Sequence, residues 1–304
     1  MANSLDYSKW LNHAALQPEN MTALLITLGQ GKFIAEDILP VVPSTDDFRW
    51  LTEDSNDGFL LAKKRGERGV AEHADLYDSV LTGSAYEYFV KSEITAKTLR
   101  SGNIYSFVNL LVRKTNLLAN KIRLTVEKDM LDAMVDTSTY STINLVSASV
   151  AWGTYSTSDP YKYIQKSKNE IMVNEFIDPD TAIIGANDAT DMKLSDSLRD
   201  SIQFTENYNE RGELVERIAG LDLKVSNAAY KTINNSGTVA SVMILSSSVI
   251  VLKKGVVGEL RESQPYDAYS FWDKEIKVLG LYASRVMKPI IIRPKGITLL
   301  RIVT

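Results

Sequence analysis

From Gly102 to Asp136 no proline interrupts the chain. Apolar side chains recur at Ile104, Phe107, Val108, Leu111, Leu118, Ile122, Val126 and Met130, three or four residues apart except where the polar Thr115 stands in the series. That spacing lays one apolar stripe along a single amphipathic helix. At 1.5 Å per residue such a helix extends about 50 Å, long for a globular protein. Its many four-residue steps and lack of a sustained heptad argue against a coiled coil.

Composition narrows what could surround this helix. The 304 residues are 44% hydrophobic and 24% charged, an ordinary globular balance that fills one large domain or two to three small ones. Cysteine is absent, which removes disulfide frameworks, thiol nucleophiles, iron–sulfur clusters and cysteine-bound zinc. Histidine occurs only at His13 and His73, so hydrolase triads and histidine metal sites lose their usual residue. The net charge of -4 argues against a dedicated nucleic-acid reader. No secretory pattern opens the sequence, and Leu24–Ile26 and Val249–Leu252 are far shorter than the roughly 18 apolar residues of a bilayer span. An intracellular, soluble product with no membrane partner is expected, and elimination points to a structural role.

Residues 1–45 read as an N-terminal arm. A helical piece carries Leu16, Ala23, Leu24, Ile26 and Leu28, and Pro40 and Pro43 then force an extended path through Val41 and Val42. Residues 46–97 read as a long β-hairpin. Phe48 and Trp50 alternate with polar neighbours, Asp57-Gly58 is a turn signal, and Ala62-Lys-Lys-Arg-Gly-Glu-Arg-Gly69 is charged and glycine-rich. On the return, Tyr86, Tyr88, Val90 and Ile94 share a face against Glu87, Lys91 and Glu93, with Phe89 the exception. A ribbon with so little to pack against is costly to order alone, so something else is expected to cover it.

Beyond the long helix and the Ser/Thr-rich Thr137–Thr142, an α/β stretch follows. Ser158-Asp159-Pro160 starts a helix that runs to about Met172. Thr181–Gly185 reads as a short buried strand, Asn187 or Asp188 as the cap of a second helix, and Ser195–Ile202 as a third helical piece. Leu221–Ser226 alternates as a strand, Val239–Lys253 holds one or two more, and Ile276–Val303 is β-rich with breaks at Pro289 and Pro294.

Motifs that could carry chemistry are weak. Gly29-Gln-Gly31-Lys32 is not a phosphate loop, because Ile26 stands where the first glycine belongs and Phe33 where Ser or Thr is required. Asp188, Asp191, Asp196 and Asp200 lack the spacing of a calcium loop and read as helix caps and solvated faces. Three readings stay open for Lys63, Lys64, Arg65 and Arg68: a solvated loop, ion pairing with a neighbouring subunit, or nucleic-acid contact. No metal, cofactor or catalytic residue is predicted.

The order of these parts resembles the major capsid proteins of tailed double-stranded DNA viruses, the Hong Kong 97 type of capsid fold. The resemblance runs from about residue 30 to the end of the sequence. Phe33-Ile-Ala-Glu-Asp-Ile-Leu-Pro-Val-Val-Pro43 and Phe48-Arg-Trp50 look like the family's approach to its ribbon. Arg65-Gly66 and Arg68-Gly69 sit where such proteins often carry a basic, glycine-containing segment. Asp178–Asn187, Leu198-Arg-Asp200 and Ala219–Asn227 resemble the strand–helix–strand unit that follows.

This resemblance implies an α+β fold divided into an arm at 1–45, an extended ribbon (E-loop) at 46–97 and a peripheral domain with its spine helix at 98–154. An α/β axial domain at 155–265 and a β-rich return to the peripheral domain at 266–304 complete it. It implies a non-enzymatic shell protein that assembles into hexamers and pentamers of an icosahedral head around double-stranded DNA, located in the virion. Its partners would be copies of itself, separate scaffolding, portal and decoration proteins, and packaged DNA through weak non-specific contact. Trp50, Leu60, Lys63, Lys64, Arg65, Arg68, Tyr86 and Tyr88 are the expected inter-subunit residues. Some relatives join a lysine to an asparagine covalently; Lys63 and Lys64 are suitably located, but no partner asparagine is identifiable and no such bond is predicted. The alternatives are an encapsulin-like cellular compartment and, from another class, a soluble carboxylate-using α/β enzyme.

Overall fold

The computed structural model of the chain describes residues 16–27, 33–53, 78–95, 98, 104–198, 217–226, 228–233, 239–273, 275 and 277–303. The arm supplies helices α1 (Pro18–Thr27) and α2 (Ala35–Ile38) and strand β1 (Val41–Pro43). Strands β2 (Asp47–Glu53) and β3 (Asp78–Ser84) pair antiparallel as an isolated ribbon, from Asp47 opposite Ser84 to Glu53 opposite Asp78. Strand β4 (Tyr86–Thr95) and helix α3 (Ile104–Val135) follow.

The expected long helix is therefore present with nearly the expected bounds. Leu111, Leu118, Ile122, Val126 and Met130 are fully buried along its stripe, as is Thr115. Burying each of the large apolar side chains contributes about 1.5–3 kcal/mol. What they face is a sheet built largely from the far end of the chain. Strands β5 (Asn144–Ser147), β6 (Thr181–Gly185), β7 (Arg217–Ile218), β8 (Leu221–Ser226), β9 (Ala229–Ile233), β10 (Val239–Met243) and β11 (Ser248–Leu252) precede the long hairpin β12 (Gly258–Asp273) and β13 (Val278–Ile291). Strand β14 (Ile297–Arg301) ends the series. A four-stranded sheet has the order β1-β12-β13-β4, and α3 and α1 cover one of its faces.

A six-stranded sheet has the order β5-β14-β11-β6-β8-β7. Its central strands are apolar on both faces, as a sheet covered on both sides requires. Ile183, Ile250, Leu252, Ile297 and Leu299 join the core around α3. Their alternating neighbours Ala182, Ile184, Val249, Val251 and Leu300 join a second core with Ile164 and Ile171 of helix α4 (Pro160–Glu175) and Met192 of α5 (Ala186–Leu194). Helix α4 starts where the sequence places it: Asp159 accepts from the Lys162 amide at 3.1 Å and Pro160 takes the first helical position.

Four expectations change. Neither Asn187 nor Asp188 caps α5; its cap is Gly185, and buried Asp188 instead accepts from the Ser247 amide at 2.8 Å. Pro289 does not break a strand. Leu260, opposite it, turns its amide to Pro40 O at 2.9 Å, so the pair exchanges no hydrogen bond, and β4 ends its pairing at Met287 opposite Tyr86. The proline's missing N–H therefore costs no ladder bond. The stretch 266–304 does not return as one piece: β13 joins the four-stranded sheet and β14 is inserted between β5 and β11. Finally, β4, read as the ribbon's return, is a strand of the body paired to β13, and the return strand is β3. Of Ser195–Ile202, residues 196–198 are helical and 199–202 lie outside the described residues.

Candidate assembly interface

The ribbon leaves the body at Ala85, whose amide donates to Asp46 O at 2.7 Å. Strand alternation gives it two faces. Trp50, with Leu81 opposite it, faces the chain's own body: the indole is buried and Nε1 donates to Ile291 O at 3.3 Å. Lys288 lies over both the Trp50 and Tyr86 rings, 5.9 and 5.0 Å from their centroids. Gly83 makes room for it, since a Cβ there would stand 2.7 Å from Lys288 Nζ. The ribbon's other face carries Leu51 and Val80 directly opposite one another, 51% and 60% exposed.

The expected contact residues thus separate. Trp50 and Tyr88 are buried within their own chain, which corrects the expectation that a neighbour must cover them. Tyr88 donates to Asp129 Oδ2 on α3 at 2.8 Å. Burial, followed by the Asp129 carboxylate, pushes its phenol well above the usual tyrosine range. Tyr86 is exposed apart from Lys288. Leu60, Lys63, Lys64, Arg65 and Arg68 lie outside the described residues, as do His13, His73 and Gly29–Lys32.

A groove of about 410 Å³ runs beside the ribbon root, walled by Trp50, Tyr86 and Lys288 on one side and Asp129, Asp132 and Asp136 of α3 and its end on the other. Each carboxylate is engaged: Asp129 by Tyr88, Asp132 by Lys128, and Asp136 by Ser138 and Thr139, whose hydrogen bonds hold it down at about 2. Farther along, Asp191 accepts from Tyr155 Oη at 3.1 Å. Asp188 holds the Ser247 amide, and burial raises its carboxyl. Among the described residues no three His, Asp or Glu side chains gather to hold a metal ion.

Sequence reasoning missed a further surface. On the face of the four-stranded sheet opposite α3, the Tyr282 ring is surrounded by Phe89, Tyr269 and Phe271, with centroids at 5.4, 5.0 and 4.9 Å. The three outer rings are 49%, 41% and 39% exposed. Phe89, the aromatic residue that breaks the polar face of its strand, was the available signal. Tyr269 and Phe271 escaped because β12, with Pro265 between two register shifts, does not read as one strand.

The arm is fastened by charge. Arg285 of β13 is buried, with Nε 2.7 Å from Glu262 Oε1, Nη1 on Glu36 of α2 and the guanidinium 4.4 Å from the Tyr266 ring. Asp37 of α2 pairs with Lys224 of β8 at 2.9 Å and with Lys254; those bonds, Lys254 first, hold its carboxyl below the usual range.

No family model and no curated protein matches this sequence. Solved structures match almost its whole length. A phage-related protein from Bordetella bronchiseptica is 15% identical, with 92% of this chain and 94% of that chain covered and a TM-score of 0.66. A virus-like particle from Pyrococcus furiosus is 13% identical over 93% and 99%, with a TM-score of 0.57. The capsid structure of the cyanophage P-SCSP1u is 11% identical over 88% of each chain, with a TM-score of 0.58. At these identities the shared property is the path of the backbone, and this chain has the Hong Kong 97-type capsid fold.

Proposed function

We propose that this chain is a major capsid protein that assembles into hexameric and pentameric capsomers of an icosahedral viral head enclosing double-stranded DNA. The observation that carries the reading is the whole-length likeness to phage capsid structures. Two surfaces support it: a ribbon whose Leu51–Val80 face has no cover in its own chain, and an aromatic sheet face open to solvent. Apolar area of this kind is costly on a solitary molecule and useful where subunits meet. Each contact is expected to bury well over about 1,000 Å². Separate scaffolding, portal and decoration proteins would complete the head. The acidic chain suits loose, non-specific contact with DNA over tight phosphate binding.

A cellular shell is the second reading, favoured by the likeness to the Pyrococcus furiosus virus-like particle. Electron microscopy of the purified recombinant chain tests assembly, with closed particles expected and a persistent monomer overturning it. Absorbance at 260 and 280 nm of particles from the native source then separates the two readings. Packaged genome supports the viral head, and a protein cargo without nucleic acid supports the compartment.

A further inference from the structure

The outer face of the four-stranded sheet is an ordered checkerboard. Strand register sets Phe271, Gly280 and Glu93 in one row, Tyr269, Tyr282 and Lys91 in the next, and Asp267, Ser284 and Phe89 in a third. Gly280 leaves space for rings to lie flat, since a Cβ there would come within 2.9 Å of both Phe271 and Tyr282. Lys91 already sits 5.6 Å over the Tyr282 ring and 2.6 Å from Glu93, so the surface holds one cation between a ring and a carboxylate. Glu87 and Asp267 flank the rings and have no ion-pair partner among the described residues. Rings edged by unpaired carboxylates suit a segment carrying arginine and lysine.

The chain contains such a segment. Residues 62–69 hold Lys63, Lys64, Arg65 and Arg68 against the single carboxylate of Glu67, with glycines that let the backbone lie close to a flat surface. The other long stretches outside the described residues do not fit: 1–15 balances Lys9 against Asp6, 199–216 is acidic, and 234–238 carries no charge.

We propose that the Phe89–Tyr269–Phe271–Tyr282 face is the seat for residues 62–69 of a second copy of this chain. This rests on the assembly reading above and names the two surfaces that meet. The absence of cysteine provides a clean test. Arg65→Cys or Arg68→Cys is combined with Tyr269→Cys or Asp267→Cys, and assembled particles are oxidised. The expected result is a ladder of covalently joined chains on a non-reducing gel from at least one pairing, and none from the single-cysteine variants. In parallel, reversing Lys63, Lys64, Arg65 and Arg68 to Glu is expected to lower particle yield about tenfold or more. Adding Glu87→Lys and Asp267→Lys is expected to recover part of it.

Wild-type particles whose double-cysteine variants assemble without bridging, or bridge only within one chain, overturn the seat and leave the assembly reading intact. A wild-type chain that stays monomeric removes the assembly reading and the seat with it. The unchanged melting temperature of each unassembled variant confirms that folding is not the cause.

Discussion

The backbone amide of Ile34 donates a 2.9 Å hydrogen bond to Oε2 of Glu127, a residue with no solvent exposure in the middle of α3. Ser226 Oγ donates to the other carboxylate oxygen at 2.8 Å, so one side chain fastens the arm, the long helix and β8. Glu127→Gln retains an acceptor for Ile34 and offers an amide donor that Ser226 Oγ can accept; it is expected to cost under about 1 kcal/mol. Glu127→Ala strands both donors, each at about 1–3 kcal/mol. Urea unfolding of the unassembled chain measures the two losses.

The same carboxyl has a pH signature. Burial raises it above its ordinary 4.5, with the Ile34 and Ser226 hydrogen bonds opposing. Between 4.5 and the raised native value, the folded chain binds a proton that the unfolded chain has released, so stability grows as pH falls. Above that window the cost of the buried charge is constant. Glu127→Gln lacks this titration while the other groups stay common to both. The stability of wild type relative to Glu127→Gln is therefore expected to rise from about pH 7 to about pH 5. A flat difference would contradict the burial argument.

The long helix, the buried strand Thr181–Gly185, the cap at Asp159 and the order of elements were legible because each rests on local periodicity or local hydrogen bonding. The pairing partners were not. Tyr86–Thr95 alternates as clearly on a body strand as on a ribbon, and nothing within it says that β13, nearly two hundred residues on, is its neighbour. Trp50 was misread for a similar reason: alternation identifies a face, and only the position of Ile291 and Lys288 reveals what covers it.

Arg285 joins Glu36 of the arm to Glu262 of β12 beneath the Tyr266 ring. Lysine cannot reproduce the fork or the stacking. Arg285→Lys is expected to lose about 2 kcal/mol. Arg285→Ala is expected to lose about 3 kcal/mol, below the upper range for a buried pair because Glu36 is partly solvated. Thermal melts of the unassembled variants, with proteolysis between residues 28 and 45 as a second readout of arm release, check both.

The two faces of the ribbon are expected to respond differently. Trp50→Ala empties a buried site and costs about 3–5 kcal/mol of folding stability. Leu51→Asp, on the exposed face, is expected to leave stability within about 0.5 kcal/mol yet sharply reduce particle formation. Denaturant titration paired with sedimentation separates the two effects.

Gly258 opens β12 where a Cβ would stand 2.2 Å from Ile290 O, a backbone atom that cannot rotate away. Gly258→Ala is expected to destabilise by about 2–3 kcal/mol through forced separation of the β12–β13 hairpin. The Tm drop of the unassembled chain gauges it.

Ile297–Arg301 fill the slot between β5 and β11 in the six-stranded sheet. Until that stretch has emerged from the ribosome, the sheet exists as two separate halves, each exposing an unzipped flank. The last interior strand to be synthesised therefore acts as a timer, keeping a half-made subunit from presenting a finished surface to its siblings too early.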